Sequence, residues 1–196
     1  FIRAERRQRD FAIGAPRSGF NPSPGAFNTF ETTASTTQVL GRIFTKLAGT
    51  SFTLSIVAVS NNARNAAPST NQLTVEVIDS TGTPGAFSAA TNCWSGWTSV
   101  QSQVVGPPVG WTSGRVDVPI NAPTQALRDA RIRVTQAGTG LIGCSTDRYS
   151  IRPAAFIISS GASNNDTSGA PAIKTGANFS ITAQPVRSDL VTSVSV

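Results

Sequence analysis

The chain contains no histidine and no methionine, and only two of its 16 basic residues are lysine. Without histidine the commonest zinc ligand and the usual general base are missing, and a Ser-His-Asp triad cannot form. A translation product starts with methionine, whereas this sequence starts with Phe1; the expectation is a processed chain or part of a longer one. Charged residues make up only 13%, and the ten acids are scattered. No two are spaced as a carboxylate pair for glycoside hydrolysis, and no loop follows an EF-hand pattern. Asp79, Asn164, Asn165 and Asp166 read as turn formers. The Gly-rich stretches lack a P-loop lysine, and no serine sits in a nucleophile elbow. The expectation is therefore a non-enzyme with no cofactor and no metal. Apolar runs are only a few residues long, so no membrane span is expected.

There are two cysteines, Cys93 and Cys144. In a Ser/Thr-rich β chain they read as one disulfide in an oxidising compartment, against the alternative of two free buried thiols. Closing a loop of about 50 residues contributes roughly 4 kcal/mol on the chain-entropy account.

What is present points to strands. The hydrophobic fraction is 39%, and 17 Gly and 12 Pro are spread along the chain, which suits short strands joined by turns. In "SFTLSIVAV" Phe52, Leu54, Ile56 and Ala58 alternate with Thr53, Ser55 and Val57, so a period of two puts the first set on one sheet face. By the same reasoning Leu73, Val75 and Val77, then Val116, Val118 and Ile120, then Ala130, Ile132 and Val134, then Tyr149 and Ile151 point inward. Pro119 marks an edge or a bulge. Only "APTQALRDA" (122–130) offers a helical turn, and the charged "FIRAERRQRD" (1–10) is helical or disordered. About seven strands between 27 and 153 predict an all-β, immunoglobulin-like β-sandwich with extended terminal arms or an incomplete second sandwich. The predicted boundaries are an N-terminal arm and linker (1–24), the sandwich (25–153), and a second β module or strand-exchange arm (154–196).

That last division rests on an internal echo. "AAFIISSGAS" and "APAIKTGANFSITAQPV" echo "GAFNTFETTAS" and "GRIFTKLAGTSFTLSIVAV": Phe156 answers Phe27, Lys174 answers Lys46, and Phe179 answers Phe52. Upstream, "RDFAI" (9–13) resembles "DRYSI" (147–151). A recurring separation of about 130 residues makes the repeating unit one sandwich-sized module. A few strands cannot bury a face alone, so 154–196 must pack on the first module, on further sequence or on another copy.

"TKLAGTSFTLSIVAV", "NQLTVEVIDSTGT", "DARIRVTQAGTG" and above all "CSTDRYSIRPAAFIISSG" followed by "GAPAIKTGANFSITA" carry a family likeness. Over roughly residues 41–183 the chain resembles the repeat region of the large secreted bacterial proteins encoded with mannose-sensitive-haemagglutinin-type type IV pili, a surface family of unknown biochemical role. The resemblance implies secretion and an extracellular, cell-surface or filament setting. It carries over no catalytic residues.

Two groups of side chains are candidate sites. Aromatic platforms stack on sugar rings, which makes Trp97 and Trp111 candidate glycan-binding residues of an adhesin. Against this, tryptophan beside a disulfide belongs in a sandwich core, Trp94 being the expected core member and Trp111 the expected exposed one. Arg131, Arg133, Arg148 and Arg152 would line one outer face if their strands pair. With Phe156 and Phe179 they are candidate subunit contacts of a homo-oligomer, a filament or an adjacent domain; the alternative is a solvated face. The net charge of +6 raises nucleic acid as a partner, but no aromatics alternate with these arginines as single-strand binders need. Nucleic acid is not the expected partner.

Overall fold

A computed structural model describes residues 26–66, 71–106, 111–160, 176 and 178–194. The arm at 1–24, the echo at 9–13, Lys174 and the turn residues 164–166 lie outside them. Among the described residues the fold is all-β, with 14 strands and no helix. The helical turn expected at 122–130 is replaced by an irregular lead-in and the start of a strand.

The first sheet is built on β3 (Phe52–Ser60). It is flanked by β1 (Phe27–Glu31) on one side and β9 (Arg115–Ile120) on the other, both antiparallel. A short β4 (Ala63–Arg64) folds back from its end. The turn between β3 and β4 is Asn61-Asn62, both at positive φ (52° and 60°), the conformation a two-residue hairpin loop requires and asparagine tolerates. Pro119 sits in an edge strand, where its missing N–H costs no ladder bond.

The second sheet runs β2 (Lys46–Leu47), β12 (Tyr149–Arg152), β10 (Leu127–Gln136), β5 (Leu73–Asp79), β8 (Thr98–Val105). β2 is parallel to β12, and β11 (Ile142–Cys144) continues alongside β10. The predicted inward residues supply one core. Leu54, Ile56, Ala58, Val118 and Ile120 come from the first sheet, and Leu73, Val75, Val77, Ala130, Ile132, Val134, Tyr149 and Ile151 from the second; all are buried in a single cluster. Each buried Val, Leu or Ile of this set contributes about 1.5–3 kcal/mol through burial. Val116 packs against that cluster but is only partly buried.

Side chains close the open edges. At β8–β9, Gln101 Nε2 donates to Asn121 O (2.8 Å) and Gln103 Nε2 to Pro119 O (2.7 Å). On the opposite side β1 meets β11. Ala26 N donates to Ile142 O at 3.2 Å, and the buried Asn28 accepts from Thr146 N at 2.9 Å. Gly143 allows this approach, since a Cβ there would lie 2.2 Å from Phe27 O.

Both outer faces carry a cover. The segment after β1 lays Ala34 and Val39 over Phe30, Val57 and Val59, which explains why β3 is buried continuously from Leu54 to Val59. The second sheet is covered by a flap holding β6 (Phe87–Ser88) and β7 (Cys93–Trp94), which pair with each other.

Beyond Pro153 the chain forms a separate two-stranded sheet, β13 (Ala155–Ser160) with β14 (Ile181–Val186).

Candidate functional site

Cys93 and Cys144 are bonded, with Cα atoms 5.4 Å apart. The bond does not cross between the two sheets. Cys144 lies opposite Arg133, on the outward face of the second sheet, and the bond fastens the flap there. A small second core results: Ile78, Cys93, Trp97 and Cys144, with Trp94 and Ile142 against them. Ordinary alternation along β5 puts consecutive residues on opposite faces, and Ile78 stands opposite Arg131 on the outward one. Val77 enters the main core while Ile78 meets the flap.

This arrangement corrects the tryptophan expectations. Trp97, not Trp94, is the most enclosed, at 8% exposure, and its Nε1 donates to Gly82 O at 3.3 Å. Trp94 is partly buried and leans on Phe87 with ring centroids 5.5 Å apart. Trp111, expected in the open, is partly buried and packs against the main core.

The four arginines do not form a shared cationic face. The Arg131 guanidinium stacks over Trp97 at 5.3 Å and donates through Nη1 to the carbonyls of Ser145 and Thr146. Burial lowers its pKa, opposed by Asp147. Arg133 stands opposite Glu76 in register and holds it with a bidentate pair at 2.6 and 2.9 Å. That hydrogen bond depresses the Glu76 pKa and raises that of Arg133. Arg148 reaches Asp129 at 3.4 Å, and Arg152 is exposed. Arg131 and Arg133 are thus engaged within the fold, whereas Arg148 and Arg152 are exposed.

The other two candidate contacts are exposed, Phe156 at 58% and Phe179 at 55%. Opposed residues of an antiparallel pair share a face. One face of the β13–β14 hairpin thus carries Phe156 with Pro185, Ile158 with Ala183, and Ser160 with Ile181; Ile158 is 62% and Ile181 58% exposed. The other face carries Ile157 with Gln184 and Ser159 with Thr182. The hairpin is amphipathic, and its apolar face is open among the described residues. Its root is fixed. Val186 is fully buried, Val194 belongs to the main core, and Ser188 N donates to Ala48 O at 3.1 Å. Within the single chain β13 pairs with β14, and the end of β14 anchors on the sandwich.

Among the described residues no group of three His, Cys, Asp or Glu side chains is placed to hold a metal, and no helix is long and apolar enough to cross a membrane. The site so defined belongs to an all-β protein with a disulfide-fastened flap and one unpartnered apolar hairpin face. The chain matches no protein-family model and none of the curated proteins.

Proposed function

We propose that this chain is a non-catalytic, extracellular structural module of a bacterial surface filament or pilus-associated protein, joined to its neighbours through β-strand contacts. The exposed apolar face of the β13–β14 hairpin carries the reading, because an amphipathic two-stranded sheet gains little until a neighbour covers it. The bacterial surface setting comes from the resemblance in "CSTDRYSIRPAAF", and the disulfide fits an oxidising compartment. We further propose that the sandwich is of the immunoglobulin type. The orders β1-β3-β9 and β12-β10-β5-β8 fit the A-B-E and G-F-C-C′ halves of such a fold. Its disulfide departs from the inter-sheet bond of antibody domains.

The glycan reading needs an accessible indole face, and the burial of Trp97 and the packing of Trp111 give it no support. The test of the structural role is assembly. The parent chain, a chain ending at Pro153, and a full-length Phe156→Ser/Ile158→Ser/Ile181→Ser variant are compared by sedimentation and negative-stain microscopy. Higher-order species from the parent alone are the expected result. Equal assembly by the triple variant rules out the hairpin as the contact.

A further inference from the structure

The hairpin reproduces the start of the sandwich in geometry as well as in sequence. Phe27 pairs with Ala58 and Glu31 with Leu54; Phe156 pairs with Pro185 and Ser160 with Ile181. Displacements of 129 residues on one strand (Phe27 to Phe156) and 127 on the other (Ala58 to Pro185) superimpose both pairs. Those are the displacements of the two sequence echoes, Phe27 to Phe156 and Phe52 to Phe179.

The correspondence continues past the hairpin. After β3 the chain folds back, pairing Val59 with Arg64 and bonding Asn65 N to Ala58 O at 2.9 Å. After β14 it folds back again, pairing Val186 with Ser193 and bonding Val194 N to Pro185 O at 3.0 Å. The inward positions of β1 and β3 are Phe27 at 2%, Leu54 and Ile56 at 0% and Ala58 at 3% exposure. Their counterparts Phe156, Ile181, Ala183 and Pro185 form the open apolar face.

We propose that this face is half of a second sandwich core. Its occupant is a sheet with the apolar pattern of this chain's own β5, β10 and β12, supplied by another copy of the 66–153 half of the module. Two observations favour it over a second copy of the same hairpin. The apolar side chains Phe156, Ile158, Phe179 and Ile181 offer roughly 400 Å² per copy, so face-to-face pairing would bury about 800 Å², short of the roughly 1,200–2,000 Å² of a stable interface. Secondly, β3 is flanked by both β1 and β9, whereas β14 has β13 and no β9-like strand among the described residues. The missing parts are a β9-like strand and the facing sheet, and the 66–153 half supplies both. In a second copy of this chain β1 and β3 fill that place, so the hairpin enters an intact neighbour only by displacing them, as strand exchange does.

This inference rests on the proposed structural role and specifies its contact, and its test needs no assembly. The chain through Val194 is continued by a second copy of residues 66–153, which replaces its last two residues. Radical footprinting with mass spectrometry then follows Phe156 and Phe179. Modification of Phe156 is expected to fall at least about tenfold, as its 58% exposure approaches the 2% of Phe27, and a second disulfide is expected to form. Ile158→Lys/Ile181→Lys in the extended chain should restore the labelling. An appended segment that stays protease-sensitive, or one that folds with Phe156 labelled as before, overturns the proposal. So does protection of Phe156 in the unextended chain that grows with protein concentration while Phe27 stays protected, which would make the hairpin face its own partner; exchange into a neighbouring copy uncovers Phe27 instead.

Discussion

β1–β3 and β13–β14 are the same hairpin in two surroundings. Both pair antiparallel in equivalent register, and both carry an apolar and a more polar set of alternating residues. In the first, Leu54 is fully buried; in the second, Ile181 at the matching position is 58% exposed. The difference separates two contributions that usually arrive together. Backbone pairing and the folded-back turn are local and survive without a facing sheet. Burial is supplied from elsewhere, and it turns an amphipathic ribbon into a stable layer.

The sharpest form of the comparison is a matched pair of substitutions. Leu54→Ala removes a buried side chain from the core and should cost about 2–5 kcal/mol. Ile181→Ala, at the equivalent register position, should change stability by less than about 0.5 kcal/mol. Urea denaturation of the two variants reads both values. Comparable losses would mean that the hairpin face is already covered, and the contrast between the two hairpins would be gone.

A second contrast lies between the main core and the flap core. Cys93→Ser/Cys144→Ser should cost about 2–4 kcal/mol in thermal unfolding. Because the disulfide fastens the flap and does not join the sheets, the loss should appear first at Trp97. Its emission should shift to the red and become quenchable by iodide while the amides of β3 and β10 stay protected. Simultaneous loss of both would mean that flap and sandwich unfold as one unit.

What could be read from the sequence follows the same division. Period-two alternation placed Leu54, Ile56, Ala58, Val75, Val77, Ile132, Val134 and Ile151 in the core because each strand meets a single facing sheet. The echo located the second hairpin before its register was known. β8 gave no such signal: in "TSVQSQVV" serine and glutamine interrupt the apolar residues, and the glutamines work sideways, bonding β9. The flap was hidden for another reason. Ile78 and Arg131 are partners across β5 and β10, and the disulfide-fastened flap brings Trp97 onto them; contacts between distant segments leave no local period. The arginine face failed likewise. Alternation correctly sent Arg131 and Arg133 outward, but it could not show that a flap and Glu76 were waiting there.

Glu76 offers a smaller test within the sandwich. Its folded pKa is depressed by the Arg133 hydrogen bond, so the pair's stabilisation is complete above the unfolded carboxylate range, about pH 4.3. It is lost as pH falls through the lower folded value. Glu76→Gln should lower stability at pH 7 by about 1 kcal/mol, given the partial exposure of the pair. It should also flatten the decline between pH 5 and the acid limit, as read by denaturant midpoints across that range. The hairpin variants above should leave this acid profile unchanged.

The last test compares the two folded-back turns. β3 reverses through Asn61-Asn62 alone, whereas β14 reverses through the longer segment 188–191. There the Asp189 carboxylate accepts from Val191 N at 2.9 Å and Thr192 N at 2.8 Å. The Thr192 hydroxyl also donates to it, and these bonds hold the Asp189 pKa down at about 2. A depressed folded pKa means that the bonds are intact above the unfolded carboxylate range and released as pH falls towards 2. Acid should therefore loosen the second turn and leave the first, which has no titrating group in its loop. Carboxyl NMR should show Asp189 titrating near 2. Amide protection at Val191 and Thr192 should fall with it, and Asp189→Ala should abolish that protection at neutral pH. Because Asp189 is fully exposed, global stability should hardly move. The comparison breaks if Asp189→Ala also frees Val194 from the core, for the turn would then be holding the hairpin's root in place as well as reversing the chain.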